Sequence, residues 1–212
     1  MKETVNNTLE KTIERNPELS GLKNDIISAF EAIAQTYKNG GTLFVCGNGG
    51  SCSDSEHIVG ELMKSFKKYR PIDSAVKANL MAMGEDGIAL ANNLEGGLPA
   101  VALSSHPSLS SAFINDKNPL MCYAQQLSVM GKKGDVLMVL STSGNAQNCL
   151  YAVLTAKAMG IKTVLLAGKT GGKIKTLADV SIVVPANETY LVQELHLPIY
   201  HCLCAMLEEE YF

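Results

Sequence analysis

The sequence contains no run of about eighteen consecutive apolar residues, the length that a membrane-spanning helix needs, although 46% of its 212 residues are hydrophobic. Its N-terminus, Met-Lys-Glu-Thr-Val-Asn-Asn, has no apolar stretch and does not read as a signal peptide. An excess of charge of one sign is also missing. The formal net charge is -3, so no field draws the chain to nucleic acid or to an anionic membrane. The cluster Lys67-Lys68-Tyr69-Arg70 is too short to change that. Six cysteines stand at positions 46, 52, 122, 149, 202 and 204, and none forms a Cys-x-x-Cys pair. They read as small buried hydrophobes in a reducing compartment, which predicts a cytoplasmic protein. Two nucleotide signatures are absent as well. Without Gly-x-x-x-x-Gly-Lys-Ser/Thr and Gly-x-Gly-x-x-Gly, neither nucleoside triphosphate hydrolysis nor a dinucleotide cofactor is expected.

What is present is an alternation of strands and helices along one domain-sized chain. Residues 2–15 and 19–38 read as helices broken near Pro17, with Ile27, Phe30, Ile33 and Ala34 at helical spacing. Strand 42–46, helix 51–66, strand 99–103 and helix 118–130 follow. Strand 135–140 is a continuous apolar run, the mark of a strand covered on both faces. Helix 146–159, strands 162–167 and 180–184, and helix 188–210 complete the pattern. Residues 72–98 read as one or two short helices broken at Gly84 and Gly87. Such alternation predicts a parallel sheet with right-handed crossovers, and ligands there bind at the carboxyl ends of the strands.

Two small polar turns fall at such ends. Gly47-Asn48-Gly49-Gly50-Ser51 joins the first strand to a helix, an architecture that lets backbone N–H groups approach an anion. Ser141-Thr142-Ser143-Gly144-Asn145 offers three hydroxyls before another helix, more than capping requires, and suits a phosphate monoester. His57 and Glu61 lie i, i+4 on the helix leaving the glycine turn and share a face that can reach one metal or one substrate. Gln193 and His201 are polar positions in a final helix that otherwise reads as buried; His196 and His106 have weaker claims.

In order, Gly-Asn-Gly-Gly-Ser (47–51), His57-x-x-x-Glu61, Asn115-Asp116, Ser-Thr-Ser-Gly-Asn (141–145), Gly171-Gly172-Lys173, Gln193-Glu194-x-His196 and then His201 closely resemble the sedoheptulose 7-phosphate (phosphoheptose) isomerases, a family of the sugar isomerase (SIS) domain superfamily. The resemblance spans essentially the whole chain apart from about 25 residues near 72–98, read as an insertion. It implies a flavodoxin-like three-layer α/β sandwich with a five-stranded parallel sheet and an N-terminal helical extension. It also implies a homotetramer with active sites at subunit contacts and one zinc ion per subunit. The activity implied is conversion of D-sedoheptulose 7-phosphate to D-glycero-D-manno-heptose 7-phosphate, an early step toward the heptose of bacterial surface polysaccharides. Carried over by motif, Ser141, Thr142 and Ser143 hold the phosphate. Asn48, Gly49, Gly50, Ser51, Glu61, Asn115, Asp116 and Gln193 contact the sugar. His57, Glu61, Gln193 and His201 are the metal ligands, and Glu61 and His201 the acid–base pair.

Gln193 and His201 stand eight residues apart, roughly 12 Å along a straight helix. For both to serve one metal, either the helix is irregular or the two belong to different subunits' sites. Ala146 replaces a phosphate-binding Ser usual in the family, and Tyr190 an Asp often found three residues before the Gln. Two other functions compete. One is another SIS enzyme, such as a pentose phosphate isomerase or an amino-sugar phosphate deaminase or deacetylase. The other is a non-enzymatic relative that binds the bacterial replication initiator; that relative lacks the acid–base Glu and His, which are present here as Glu61 and His201.

Overall fold

A computed structural model describes all 212 residues. Five parallel strands form its centre: β1 (Leu43–Gly47), β2 (Ala100–Ala102), β3 (Val136–Leu140), β4 (Lys162–Ala167) and β5 (Val180–Val183), in the order β2-β1-β3-β4-β5. This is the flavodoxin-like strand order, whose ligand crevice lies between the first and third strands. Every residue of β1 and β3 is buried, because both faces of the sheet are covered. Alternate side chains serve the two layers. Leu43, Val45, Met138, Leu140, Val164 and Leu166 face one core. Phe44, Cys46, Leu137, Val139, Leu165 and Ala167 face the other.

The first layer is built from α1 (Glu3–Arg15), α2 (Lys23–Lys38), α3 (Gly50–Met63) and α10 (Thr189–Tyr211). In α1, Val5, Leu9 and Thr12 form the buried stripe that docks on α10. The second layer contains α7 (Cys122–Met130), α8 (Gln147–Ala158) and the single turn α9 (Gly172–Lys175). Between α3 and β2 lie α4 (Ser74–Met81) and α5 (Glu85–Asn93). The break between them falls at Gly84 alone; Gly87, expected as a second break, lies inside α5. Gly87 is a packing position instead: an ideal Cβ there would lie 2.0 Å from the Leu80 carbonyl, so the close approach of α4 to α5 requires glycine. Two helices were not expected from the sequence: α6 (Pro107–Asp116), which buries no residue, and α9. Helix α3 also ends at Met63, three residues before the expected 66.

Pro198 sits inside α10 and leaves the Glu194 carbonyl without an N–H from four residues on. The helix nevertheless runs unbroken and lies parallel to α3. Gln193 is level with Gly50, Tyr200 with Asp54 and His57, and Glu208 with Phe66 to Lys68. At that lower end Glu208 and Arg70, both fully buried, meet at 2.7 Å. The Glu208 carboxylate also accepts from the Phe66, Lys67 and Lys68 amides.

Candidate active site

The two polar turns leave adjacent strands at one level, since Gly47 of β1 is in register with Leu140 of β3. Asn48 and Asn148 join them by a reciprocal amide pair, at 2.9 and 2.7 Å. The Tyr123 hydroxyl donates to the Gly47 carbonyl at 2.6 Å. Gln193 packs its amide against Gly50, where an added Cβ would lie 2.5 Å from Nε2. A side chain at 50 would displace this amide.

In the second turn the hydroxyls are not spent on helix capping. The N-cap of α8 is Ala146, whose side chain makes no cap, and the Ser143 hydroxyl instead accepts from the Asn145 amide. The Gln147 and Asn148 N–H groups of the first turn stay open to an anion, while the Cys149 N–H donates to Asn148 Oδ1. The turn is braced from the far side: Gly168 N–H donates to the Thr142 carbonyl, Ile174 N–H to the Gly144 carbonyl and Lys173 N–H to Asn145 Oδ1. Gly144 holds φ +64°, and a Cβ there would fall 1.8 Å from the Gly171 carbonyl.

Below these turns, between α3 and α10, His57, Glu61 and His201 bring their ligand atoms within 4.8 Å of one another. His57 Nε2 lies 3.1 Å from Glu61 Oε1 and 3.5 Å from His201 Nε2. Burial, reinforced by the neighbouring His57, holds the His201 imidazole below its ordinary pKa against the opposing pull of Glu61. The lowered pKa favours the neutral imidazole, which has one N–H to donate and one bare nitrogen to ligate or accept. Two imidazole nitrogens and one carboxylate oxygen are a donor set that suits zinc with an open coordination position. His57 Nδ1 is held in turn by the Tyr200 hydroxyl at 3.1 Å, and that hydroxyl donates to Asp54 Oδ1 at 3.2 Å.

Other expected site residues lie apart from this cluster within one chain. Gln193 is at Gly50, seven residues or about 10 Å up the α3 axis from His57. Asn115 and Asp116 end α6 and hydrogen-bond to each other. His106 joins Gln126 across α6 and α7 at 2.8 Å. His196 is fully buried with both ring nitrogens unpartnered, and burial pushes its imidazole down to about 4. The residues that sequence reasoning missed are Asn148, Tyr123, Tyr200 and Asp54. Asn148 carried a faint signal as a polar side chain in the first turn of a helix that opens on the crevice; the other three carried none.

A parallel sheet with its crevice at the β1/β3 switch, a hydroxyl turn and a neighbouring His–Glu–His cluster make the architecture of a phosphosugar-binding domain. The sequence matches the family described as SIS domain over residues 3–96 and 77–168. A phosphoheptose isomerase of a Nitratiruptor species is 37% identical over 202 residues, covering 95% of this chain and 94% of the relative. Among solved structures, a phosphoheptose isomerase from Francisella tularensis superposes with a TM-score of 0.76 at 27% identity, covering 99% of this chain and 100% of the other. Phosphoheptose isomerase GmhA from Neisseria gonorrhoeae gives 0.74 at 28% identity, with 94% of each chain covered. The chain belongs to the phosphoheptose isomerase family of SIS domain proteins.

Proposed function

We propose that this protein is a phosphosugar aldose–ketose isomerase that converts D-sedoheptulose 7-phosphate to D-glycero-D-manno-heptose 7-phosphate. The observation that carries the reading is the meeting of Glu61, His201 and His57 below an uncapped, hydroxyl-rich helix start. The Ser141, Thr142 and Ser143 turn and the first amides of α8 take the phosphate. Asn48, Gly49, Gly50, Ser51, Asn115, Asp116 and Gln193 contact the sugar hydroxyls. The cluster lies about 10 Å along α3 from Gly50.

Isomerisation then needs two kinds of proton movement. The Glu61 carboxylate takes a proton from C1 of the ketose while His201 supplies one to O2, giving an enediol. His201 next removes the O1 proton and Glu61 returns its proton to C2, which leaves the aldose and restores both groups. His57, Glu61 and His201 would hold a zinc ion, which when bound polarises the substrate carbonyl. Gln193, held at Gly50 in its own chain, would reach such an ion only in a second copy.

The assembly we favour is a homotetramer with sites at the subunit contacts. Helix α4 buries no residue of its own, and the α4–α5 hairpin exposes Val76, Met81, Met83, Ile88 and Leu90. Such a face is suited to burial against another copy. No helix is long and apolar enough to cross a membrane. All six cysteines are free, in keeping with a reducing cytoplasm.

The test is to incubate the purified protein with sedoheptulose 7-phosphate and follow the aldose by NMR or mass-selective detection. Appearance of the heptose phosphate is expected. No turnover, with or without added zinc, overturns the reading.

A further inference from the structure

We propose that Tyr200 is a positioning residue that fixes the tautomer of His57 and aims its Nε2 lone pair at Glu61 and His201. This rests on the reading of those three side chains as a cation-binding set.

The Tyr200 side chain is 1% exposed, so its hydroxyl has to find its partners within the protein. It finds two. Its single proton goes to Asp54 Oδ1 at 3.2 Å, because an ionised carboxylate can only accept. With the proton committed there, the Tyr200 oxygen faces His57 Nδ1 at 3.1 Å as an acceptor. A neutral His57 must then carry its own proton on Nδ1, which leaves Nε2 bare. That bare nitrogen lies 3.1 Å from Glu61 Oε1 and 3.5 Å from His201 Nε2. A bare Nε2 so close to a carboxylate oxygen and a second imidazole is placed to share a cation with them.

Aromatic packing holds the relay in place. Tyr200 meets His57 edge-on with ring centroids 5.5 Å apart, and meets His201 in the same way at 5.0 Å. Asp54, His57 and Glu61 share one face of α3 at steps of three and four residues, so the relay partner, the positioned imidazole and the carboxylate are stacked along one helix. No residue of the relay is needed to touch substrate. Its action is confined to orientation, the role that outer partners play for metal-binding histidines.

Tyr200→Phe keeps the ring and removes the hydroxyl. Zinc affinity of the metal-free protein, measured by competition with a chromogenic chelator, is expected to fall by about 10–100-fold. The imidazole ¹⁵N spectrum of the metal-free protein provides a second readout that a merely structural role would not move. With four histidines in the chain, His57 is assigned by its loss in His57→Gln. It is expected to be the Nδ1–H tautomer in the unsubstituted protein and to lose that preference in Tyr200→Phe. Asp54→Ala leaves both rings in place but frees the tyrosine proton to turn toward His57, and it is expected to give the same two changes. The proposal is overturned if Tyr200→Phe leaves the zinc affinity and the His57 tautomer unchanged, or if the unsubstituted protein carries its His57 proton on Nε2. If the unsubstituted protein binds no zinc yet its His57 tautomer depends on Tyr200, the positioning role stands and the metal reading falls.

Discussion

His57, Glu61 and His201 derive their chemistry from where they converge, and that makes their substitutions informative. Glu61→Gln and His201→Ala should each lower turnover by about 10²–10⁴-fold, the usual contribution of a positioned acid or base, with circular dichroism and thermal midpoint little changed. Retention of activity by both variants would remove the acid–base assignment. His196 sets a different test. Burial lowers its imidazole from 6.5 to about 4 in the folded state. Between those values the unfolded chain binds a proton that the folded chain refuses, so stability falls as pH drops through that window. The full effect is about 3 kcal/mol. His196→Leu should flatten the dependence of denaturant midpoint on pH between 6.5 and 4. An unchanged slope would mean that His196 is protonated in the fold.

At the scale of elements, the parallel contact of α3 with α10 sets which residues face each other, and the buried Arg70–Glu208 pair pins its lower end. Burial alone would raise the Glu208 pKa. The Phe66 and Lys67 amides, Arg70 and the Lys68 amide more than offset it, and the carboxyl sits below its ordinary 4.5. Its stabilisation is therefore present above the ordinary glutamate range and is lost as pH falls through the lowered folded value. Glu208→Gln leaves Arg70 as an unpaired buried cation and should cost about 3–5 kcal/mol in denaturant unfolding. At the upper end, Gly50→Ala forces the Gln193 amide away. It should raise KM for the sugar phosphate more than it lowers the thermal midpoint.

For the whole molecule, the α4–α5 hairpin is a segment that its own chain leaves largely exposed. Met83→Glu combined with Ile88→Glu should split the proposed homotetramer into smaller species in light scattering coupled to gel filtration, and activity should fall with it if sites are shared. Much of this architecture was legible beforehand. The continuous apolar run at 135–140 reads as a strand covered on both sides, 42–46 and 162–167 read as strands beside it, and their alternation with helices implied parallel pairing. Helix α6 was not legible because it buries no residue in the chain and lies in the Ser- and Pro-rich stretch 104–111, a composition that reads as loop. The ends of the site showed the same division. His57 and Glu61 were paired by helical spacing, and Ser141 to Ser143 by adjacency. The Asn48–Asn148 and Tyr200–His57 contacts join residues 100 and 143 positions apart.

The sequence by itself determined what short-range chemistry can determine. Backbone periodicity fixed the strands and most helices, glycines and hydroxyls marked the two turns, and one helical turn set His57 beside Glu61. Only the tertiary structure decided how α10 lies against α3. Parallel alignment places His201 beside His57 while holding Gln193 at Gly50, so the four expected ligands do not meet in one chain. Local propensity is blind to the relative placement of two helices, because that placement comes from packing and from the buried ion pair at their lower end.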